Sequence, residues 1–226
     1  VSAQVAFCID VRSEVFRRAL EAEDPAIATI GCAGFFGVPI AYRSVGTDHA
    51  RPQLPGLLAP KMCATDEGLP EKRASARRRS LRAETDWASL RLTPLSMFGL
   101  VETAGLSYGA KLLSATFGWG ERPARDRVGL SRRDLGALRP RLAARADAAL
   151  LELNDRCSVA EGVLRAMSLT KSFARLVVLL GHGSRTRNNP HASALDCGAC
   201  CGQTGEVNAR VAAGLLNDPE IRRSLV

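Results

Sequence analysis

Four side chains of types that bind metal ions occur at two places in the sequence, more than 170 positions apart. Cys8 and Asp10 stand near the start, and His182 is followed fifteen residues later by Cys197. Two thiolates, an imidazole and a carboxylate form a tetrahedral ligand set typical of zinc, whereas magnesium and calcium prefer oxygen ligands. A lone cysteine usually packs as a small hydrophobe, and Arg12 is a partner for Asp10 without any metal. Taken together, the four residues still predict a zinc site.

Both groups of ligands follow segments that are predicted to be strands. Residues 5–9 and 176–180 are short apolar runs, typical of buried parallel strands. Ligands of open α/β sheets bind beyond the carboxyl ends of the strands, so the two groups meet if these strands are neighbours. Side chains alternate along an extended segment, which places Cys8, Asp10 and Arg12 on one side.

The order of elements predicts an α/β fold, with an open, mostly parallel sheet flanked by helices. A helical insertion separates the two metal-binding motifs. We expect residues 1–226 to form a single zinc-binding module, a fragment of a longer chain. Its core is predicted at 1–43 and 175–226, and its mostly helical insertion at about 71–174.

Four local predictions accompany this architecture. Ser13 is the predicted N-cap of the first helix, and residues 26–34 and 35–43 are predicted to hold further strands. Residues 44–70 are predicted to be a loop, because they contain four prolines and several glycines. Residues 93–120 carry only two charges, which favours a buried helix pair over a surface that docks on a membrane-embedded partner.

Composition excludes some classes of protein. The 226 residues are 46% hydrophobic and 24% charged, as in an ordinary globular protein. The longest aliphatic run, residues 176–180, is far shorter than the roughly 20 residues of a membrane span. The net charge is +8, and residues 72–82 contain six basic side chains. Aromatic residues, which stack on nucleic-acid bases, make up only 5% of the chain, so we expect no nucleic-acid partner.

The seven cysteines indicate a reducing compartment, where thiols pack, react or bind metal. Cys197 and Cys200 also form a Cys-x-x-Cys motif, which leaves redox chemistry as an alternative. The chain has no second pair of cysteines with this spacing that would complete a four-cysteine zinc site.

Three segments together resemble one known family. They are Cys-Ile-Asp-Val-Arg-Ser-Glu at 8–14, Gly-His-Gly-Ser at 181–184, and the segment 188–200, which ends in Asp-Cys-Gly-Ala-Cys. These motifs closely resemble those of the DabA family of probable inorganic carbon transporter subunits. The middle of the chain carries no such motif, and Cys201 stands where the family pattern has glycine.

The resemblance implies a site similar to that of β-carbonic anhydrases. The implied zinc ligands are Cys8, Asp10, His182 and Cys197, and the implied catalytic residues are Asp10 and Arg12. Movement of Asp10 from the metal to Arg12 would open the fourth ligand position for water, which zinc activates at neutral pH.

The same resemblance implies a role in transport. The module would hydrate CO2 to bicarbonate within an energy-coupled bacterial transporter of inorganic carbon. Its partner would be a membrane-embedded, antiporter-like subunit of the DabB type, and its location the cytoplasmic face of the inner membrane, bound peripherally. Hydration would then take place only in the coupled complex. The alternative is a non-catalytic, structural zinc module that mediates assembly of a membrane complex, and a Cys-x-x-Cys redox protein is a further one.

Overall fold

The computed structural model describes residues 1–119, 127–144, 149–184, 186 and 189–225. It contains two compact units, one formed by Val1–Glu67 with Arg139–Val226 and the other by Gly68–Leu138. A parallel sheet and packed helices in the first unit confirm the predicted α/β class.

The first unit contains both sheets. Its elements are β1 (Ala3–Cys8), α1 (Val11–Glu23), β2 (Ile27–Cys32), β3 (Ile40–Arg43), β4 (Arg51–Gln53), β5 (Met62–Glu67), β6 (Arg139–Ala143), α6 (Leu153–Ala166), β7 (Leu176–Leu180), α7 (Glu206–Leu216) and α8 (Pro219–Ser224). The second unit is helical, with α2 (Glu71–Leu92), α3 (Pro94–Ala104), α4 (Tyr108–Thr116) and α5 (Arg132–Ala137).

The first sheet brings the two motifs together. Its strand order is β2-β1-β7, and both pairings are parallel. Phe7 of β1 lies opposite Leu180 of β7, so the strands end side by side. The side-chain amide of Gln4 donates to the carbonyl of Ser172 and accepts from the amide of Ala174, which fixes the chain just before β7. The predicted neighbourhood of the two strands is therefore correct.

The second sheet was not expected. Its order is β4-β3-β5-β6, with β3 and β5 parallel and the outer pairs antiparallel. The predicted loop at 44–70 is wrong, because it contains β4 and β5. The sequence of β5 does not alternate between buried apolar and exposed polar residues, because Thr65 and Asp66 are buried as well as the apolar residues. Asp66 is accommodated there by hydrogen bonds from Tyr42 and Arg210.

The core of the first unit lies where α6 and α7 pack with the strands. Val207, Val211 and Leu215 of α7 repeat at helical spacing, and all three are buried. Ala160 and Val163 of α6 belong to the same cluster. Their burial fixes α7, whose first turn adjoins the loop that carries the second ligand group.

Helix α1 begins earlier than the sequence indicates. Its N-cap is Asp10, whose backbone is extended and whose carboxylate accepts from the amide of Arg12. The prediction of Ser13 as the cap is wrong, because a carboxylate directly after the strand already satisfies the first free amide. Arg12 thus lies in the first helical turn rather than in an extended segment.

The second unit holds its first and last helices together with a charged contact. Asp134 forms a capping box with Ser131 at the start of α5 and pairs with Arg73 of α2. The hydrogen bonds from Arg73 and Ser131 lower the pKa of Asp134. No helix among the described residues has the length and apolarity needed to cross a bilayer.

The helix pair predicted to be buried is exposed. None of the described residues at 93–119 is buried, and α3 and α4 have no buried side chain. That prediction is therefore wrong, since the low charge of the segment does not reflect burial within the described chain.

Candidate metal centre

Three of the predicted ligands converge on one point. Cys8 is the last residue of β1, His182 lies two residues after β7, and Cys197 precedes a 3-10 turn that leads towards α7. One donor atom from each of them lies within 4.8 Å of the others. The two sulfur atoms are 3.5 Å apart, and both thiols are buried.

This spacing suits a metal ion. Zinc–sulfur bonds of about 2.3 Å and zinc–nitrogen bonds of about 2.0 Å place tetrahedral ligand atoms roughly 3.3–3.8 Å apart. For two sulfur atoms the expected separation is about 3.8 Å, and the distance of 3.5 Å is close to it. Sulfur and imidazole donors suit zinc and other soft or borderline metals rather than magnesium or calcium. The residues present therefore fit a metal of the kind that the sequence predicts.

Asp10 takes a different partner in this structure. Its Oδ1 accepts from the Arg12 Nε at 2.8 Å, and its Oδ2 accepts from the Arg12 Nη2 at 3.2 Å. These hydrogen bonds lower the pKa of Asp10 to about 2. The carboxylate is not one of the three clustered donors, and its role as a fourth ligand stays a prediction.

Arg12 also contacts the segment that precedes Cys197. Its Nη2 donates to the carbonyl of Leu195 at 2.7 Å. Leu195 lies two residues before Cys197, so the segment that carries one ligand also orients the guanidinium beside Asp10.

The loop around His182 is fixed by a second carboxylate. Asp196 accepts from the amide of Ser184 at 2.7 Å and from its hydroxyl at 3.0 Å. This contact joins the segment after β7 to the segment before Cys197. Asp196 belongs to one of the motifs quoted above, but the sequence indicates no role for it, because a hydrogen bond across twelve residues has no signature in local spacing.

Gly34 is a close neighbour of both ligand thiols that sequence analysis missed. A Cβ atom at this position would lie 2.4 Å from the sulfur of Cys197 and 2.6 Å from that of Cys8. The amide of Gly34 also donates a hydrogen bond to the Cys8 thiol. The only available signal was a glycine after a strand, which can mark a close approach of backbone to a ligand.

Two further glycines position His182. A Cβ on Gly181 would lie 2.1 Å from the carbonyl oxygen of Gly205. The amide of Gly205, the N-cap of α7, donates to the carbonyl of His182 at 2.8 Å. The end of β7 and the start of α7 therefore pack backbone against backbone.

The thiols of Cys8, Cys197 and Cys200 are clustered, and their contacts favour the thiolate form of Cys197. Hydrogen bonds from Cys200 and Cys8 lower the pKa of Cys197, which His182 lowers further. The shared hydrogen bond and burial raise the pKa of Cys8, and the contact with Cys197 raises that of Cys200. All seven cysteines are free thiols, and Cys201 is exposed.

The buried side-chain amide of Asn208 lies beside the loop that contains Cys200. The Nδ2 of Asn208 donates to the carbonyls of Phe35, Val38 and Gln53. Its Oδ1 accepts from the side chain of Gln53 at 3.1 Å and faces the thiol of Cys200 at 3.9 Å. Asn208 is fully buried, so it links α7, β4 and the segment after β2 near the site.

A pocket of about 260 Å³ is lined by His182, one of the three clustered donors, and by the Asp10–Arg12 pair. The lining residues are Phe7, Asp10, Arg12, Ser13, Phe16, Leu180, Gly181, His182 and Gly183. The pocket can therefore receive a small molecule next to the clustered ligands.

Comparisons with known proteins point to one family. Residues 1–226 match the family model described as "Probable inorganic carbon transporter subunit DabA". Proteins of that name are similar to this chain: the one from Vibrio cholerae serotype O1 is 47% identical over 98% of the chain, and the one from Paracidovorax citrulli is 50% identical over 99%. In both cases the match covers 26% of the relative. No solved structure matches the chain.

Proposed function

The chain belongs to the DabA family of probable inorganic carbon transporter subunits, and from this premise we propose that it is the zinc-binding module of such a subunit. It would hydrate CO2 to bicarbonate at a site similar to that of β-carbonic anhydrases. The chain spans about a quarter of the length of the curated relatives that it matches, so the activity of the whole subunit is part of the proposal.

One observation carries the proposal. The donors of Cys8, His182 and Cys197 lie together, and His182 also lines a pocket with the Asp10–Arg12 pair. Zinc, when bound by such a set, supplies a nucleophile at neutral pH by lowering the pKa of water to about 7. The apolar residues Phe7, Phe16 and Leu180 in the pocket lining suit CO2, and the guanidinium of Arg12 suits the bicarbonate anion.

Arg12 has two tasks in this mechanism. It holds Asp10 away from the three clustered donors through two hydrogen bonds. When the two hydrogen bonds between Arg12 and Asp10 break, the carboxylate becomes available as a fourth ligand, as in the predicted closed site. The guanidinium also presents donors to an anionic product, because its planar geometry matches two oxygen atoms at once.

The contact of Arg12 with Leu195 offers a route for coupling. A partner that moves the segment before Cys197 would also shift the guanidinium and thus the position of Asp10. We propose that a membrane-embedded, antiporter-like subunit of the DabB type acts in this way at the cytoplasmic face of the inner membrane. Hydration would then be efficient only in the complex.

The first experiment tests the ligand set in the full-length subunit. Variants Cys8→Ala and His182→Ala are purified and their zinc content is measured, with Cys157→Ala as the matched control. Cys157 is a half-buried cysteine of α6 outside the site. We expect the first two variants to lose bound zinc and the control to retain it. Stoichiometric zinc in either ligand variant would contradict the proposed site.

The second experiment separates catalysis from a structural zinc site. Arg12→Ala is compared with Arg18→Ala, which alters an exposed arginine of the same helix. We expect Arg12→Ala to retain zinc but to lose CO2 hydration in the complex, whereas Arg18→Ala keeps both. Normal hydration in Arg12→Ala would refute the proposed role of Arg12. Zinc without hydration in the wild-type complex would favour a structural module.

A further inference from the structure

An exposed apolar segment of the second unit is unexplained by the metal centre. We define the apolar arm as residues 93–119, which comprise α3, a 3-10 turn and α4. Leu95 is 90% exposed, Phe98 71% and Leu106 99%. Soluble proteins rarely expose contiguous large apolar side chains without a binding role. The arm is therefore an interaction surface.

The arm is poor in charge on its exposed side. Glu102 and Lys111 are its only charged residues. The ammonium of Lys111 lies 4.9 Å from the ring centre of Tyr108. Such a surface favours contact with an apolar environment that excludes water.

The helix that leads into the arm is basic. Lys72, Arg79 and Arg82 of α2 are exposed and make no ion pair with any residue that the structure describes. Juxtamembrane basic residues are attracted to the headgroups of anionic lipids. Trp87 and Trp119 are exposed near the two ends of the arm, and tryptophan is enriched at the level of lipid headgroups.

The lengths of the helices define how the arm can enter a bilayer. At 1.5 Å per residue, α3 and α4 extend roughly 16 and 14 Å, about half of a 30 Å hydrocarbon core. Neither helix can span the membrane, but each can lie within one leaflet.

We propose that the apolar arm inserts into one leaflet of an anionic lipid bilayer, while the basic side chains of α2 bind the headgroups. The proposal rests on the membrane location given under the proposed function and names the element responsible for it. We choose anionic lipid over an apolar protein surface as the occupant, because its headgroups complement the exposed Lys72, Arg79 and Arg82 of α2.

The test measures binding of the full-length subunit to lipid vesicles by flotation. Vesicles consist of phosphatidylcholine with or without phosphatidylglycerol. Leu106→Glu places a charge in the arm, and Leu57→Glu makes the same change at a residue of the first unit that is 100% exposed. We expect Leu106→Glu to weaken vesicle binding about tenfold or more, and Leu57→Glu to leave it unchanged. Thermal unfolding checks that both variants fold.

Charge reversal supplies an independent readout. Arg79→Glu should weaken binding to vesicles with phosphatidylglycerol, should leave the weaker binding to neutral vesicles unchanged, and should reduce the salt dependence. Equal vesicle binding by Leu106→Glu and the wild type would overturn the proposal. Binding that requires the membrane-embedded partner and not anionic lipid would overturn it in favour of a protein interface.

Zinc content, measured in the same preparations, keeps the two proposals apart. A subunit that binds vesicles through the arm but contains no zinc would refute the metal site and leave the arm intact. A subunit that retains zinc but does not bind anionic vesicles would refute the arm alone.

Discussion

Substitution of Gly34 by alanine is the sharpest probe of the metal centre. The added methyl would lie 2.4 Å from the sulfur of Cys197 and 2.6 Å from that of Cys8. Ordinary contacts of this kind are about 3.5–4.0 Å, so each sulfur, or the Gly34 backbone, has to move by about 1 Å. The backbone of Gly34 does not have a positive φ, and the steric contact is therefore the whole cause of the expected effect.

A displacement of this size exceeds what a metal site tolerates. Metal–ligand distances are maintained to about 0.2 Å, so a shift of about 1 Å removes at least one thiolate from the ligand set. We expect the zinc affinity of Gly34→Ala to fall about 100-fold or more, the upper end of the effects that follow from altered ligand support. Overpacking should also lower the free energy of unfolding without metal by about 1–3 kcal/mol.

Gly198→Ala is the matched control. Gly198 directly follows Cys197, yet a Cβ at this position would meet nothing within 4 Å. Zinc affinity is measured in the full-length subunit by competition with a chelator, and circular dichroism checks that both variants fold. If Gly34→Ala binds zinc within about twofold of the wild type, or if Gly198→Ala loses as much affinity, the geometric reasoning is refuted.

Three further predictions concern the supports of the site. Asn208→Ala removes the donor of three backbone carbonyls and should lower the free energy of unfolding by about 3 kcal/mol, as measured by urea denaturation. Asp196→Ala removes the acceptor of the Ser184 amide and should weaken zinc binding about 10–100-fold, as measured by chelator competition. Removal of zinc with a chelator should make Cys197, whose pKa is lowered, reactive towards iodoacetamide, whereas the exposed thiol of Cys201 reacts in both states.

Each of these predictions has a control. Asn217→Ala removes an amide that is exposed and makes one local bond, and it should change the unfolding free energy by less than about 0.5 kcal/mol. Asp24→Ala removes a carboxylate from a surface turn and should leave zinc binding unchanged. Equal losses in variant and control, or identical alkylation with and without zinc, would contradict the assigned supports.

The strands that carry the ligands were predictable from the sequence. Residues 5–9 and 176–180 are short apolar runs, and a parallel sheet places their carboxyl ends at one edge. Cys8 and His182 are brought together by this geometry alone. The motifs around them also predicted the DabA family, which the family match confirms.

The remaining features depend on long-range contacts that leave little trace in local sequence. Strand β5 can bury Asp66 because Arg210, 144 positions later in the chain, donates a hydrogen bond to its carboxylate. No periodicity in the sequence signals such a partner. Gly34 and Asp196 act on the ligands from separate segments of the chain. The exposure of residues 93–119 was not predictable either, because an apolar helix has the same composition whether it is buried or faces a membrane.

The side-by-side ends of β1 and β7 would give an ion bound there a further consequence. An ion bound by Cys8 and His182 would act as a crosslink that closes a loop of more than 170 residues. The entropic cost of closing a flexible loop grows only with the logarithm of the loop length, so that doubling the length costs about 0.6 kcal/mol. Insertions and deletions within the helical second unit, Gly68–Leu138, should therefore cost the assembly of the site little loop-closure entropy, which would leave evolution free to reshape those helices.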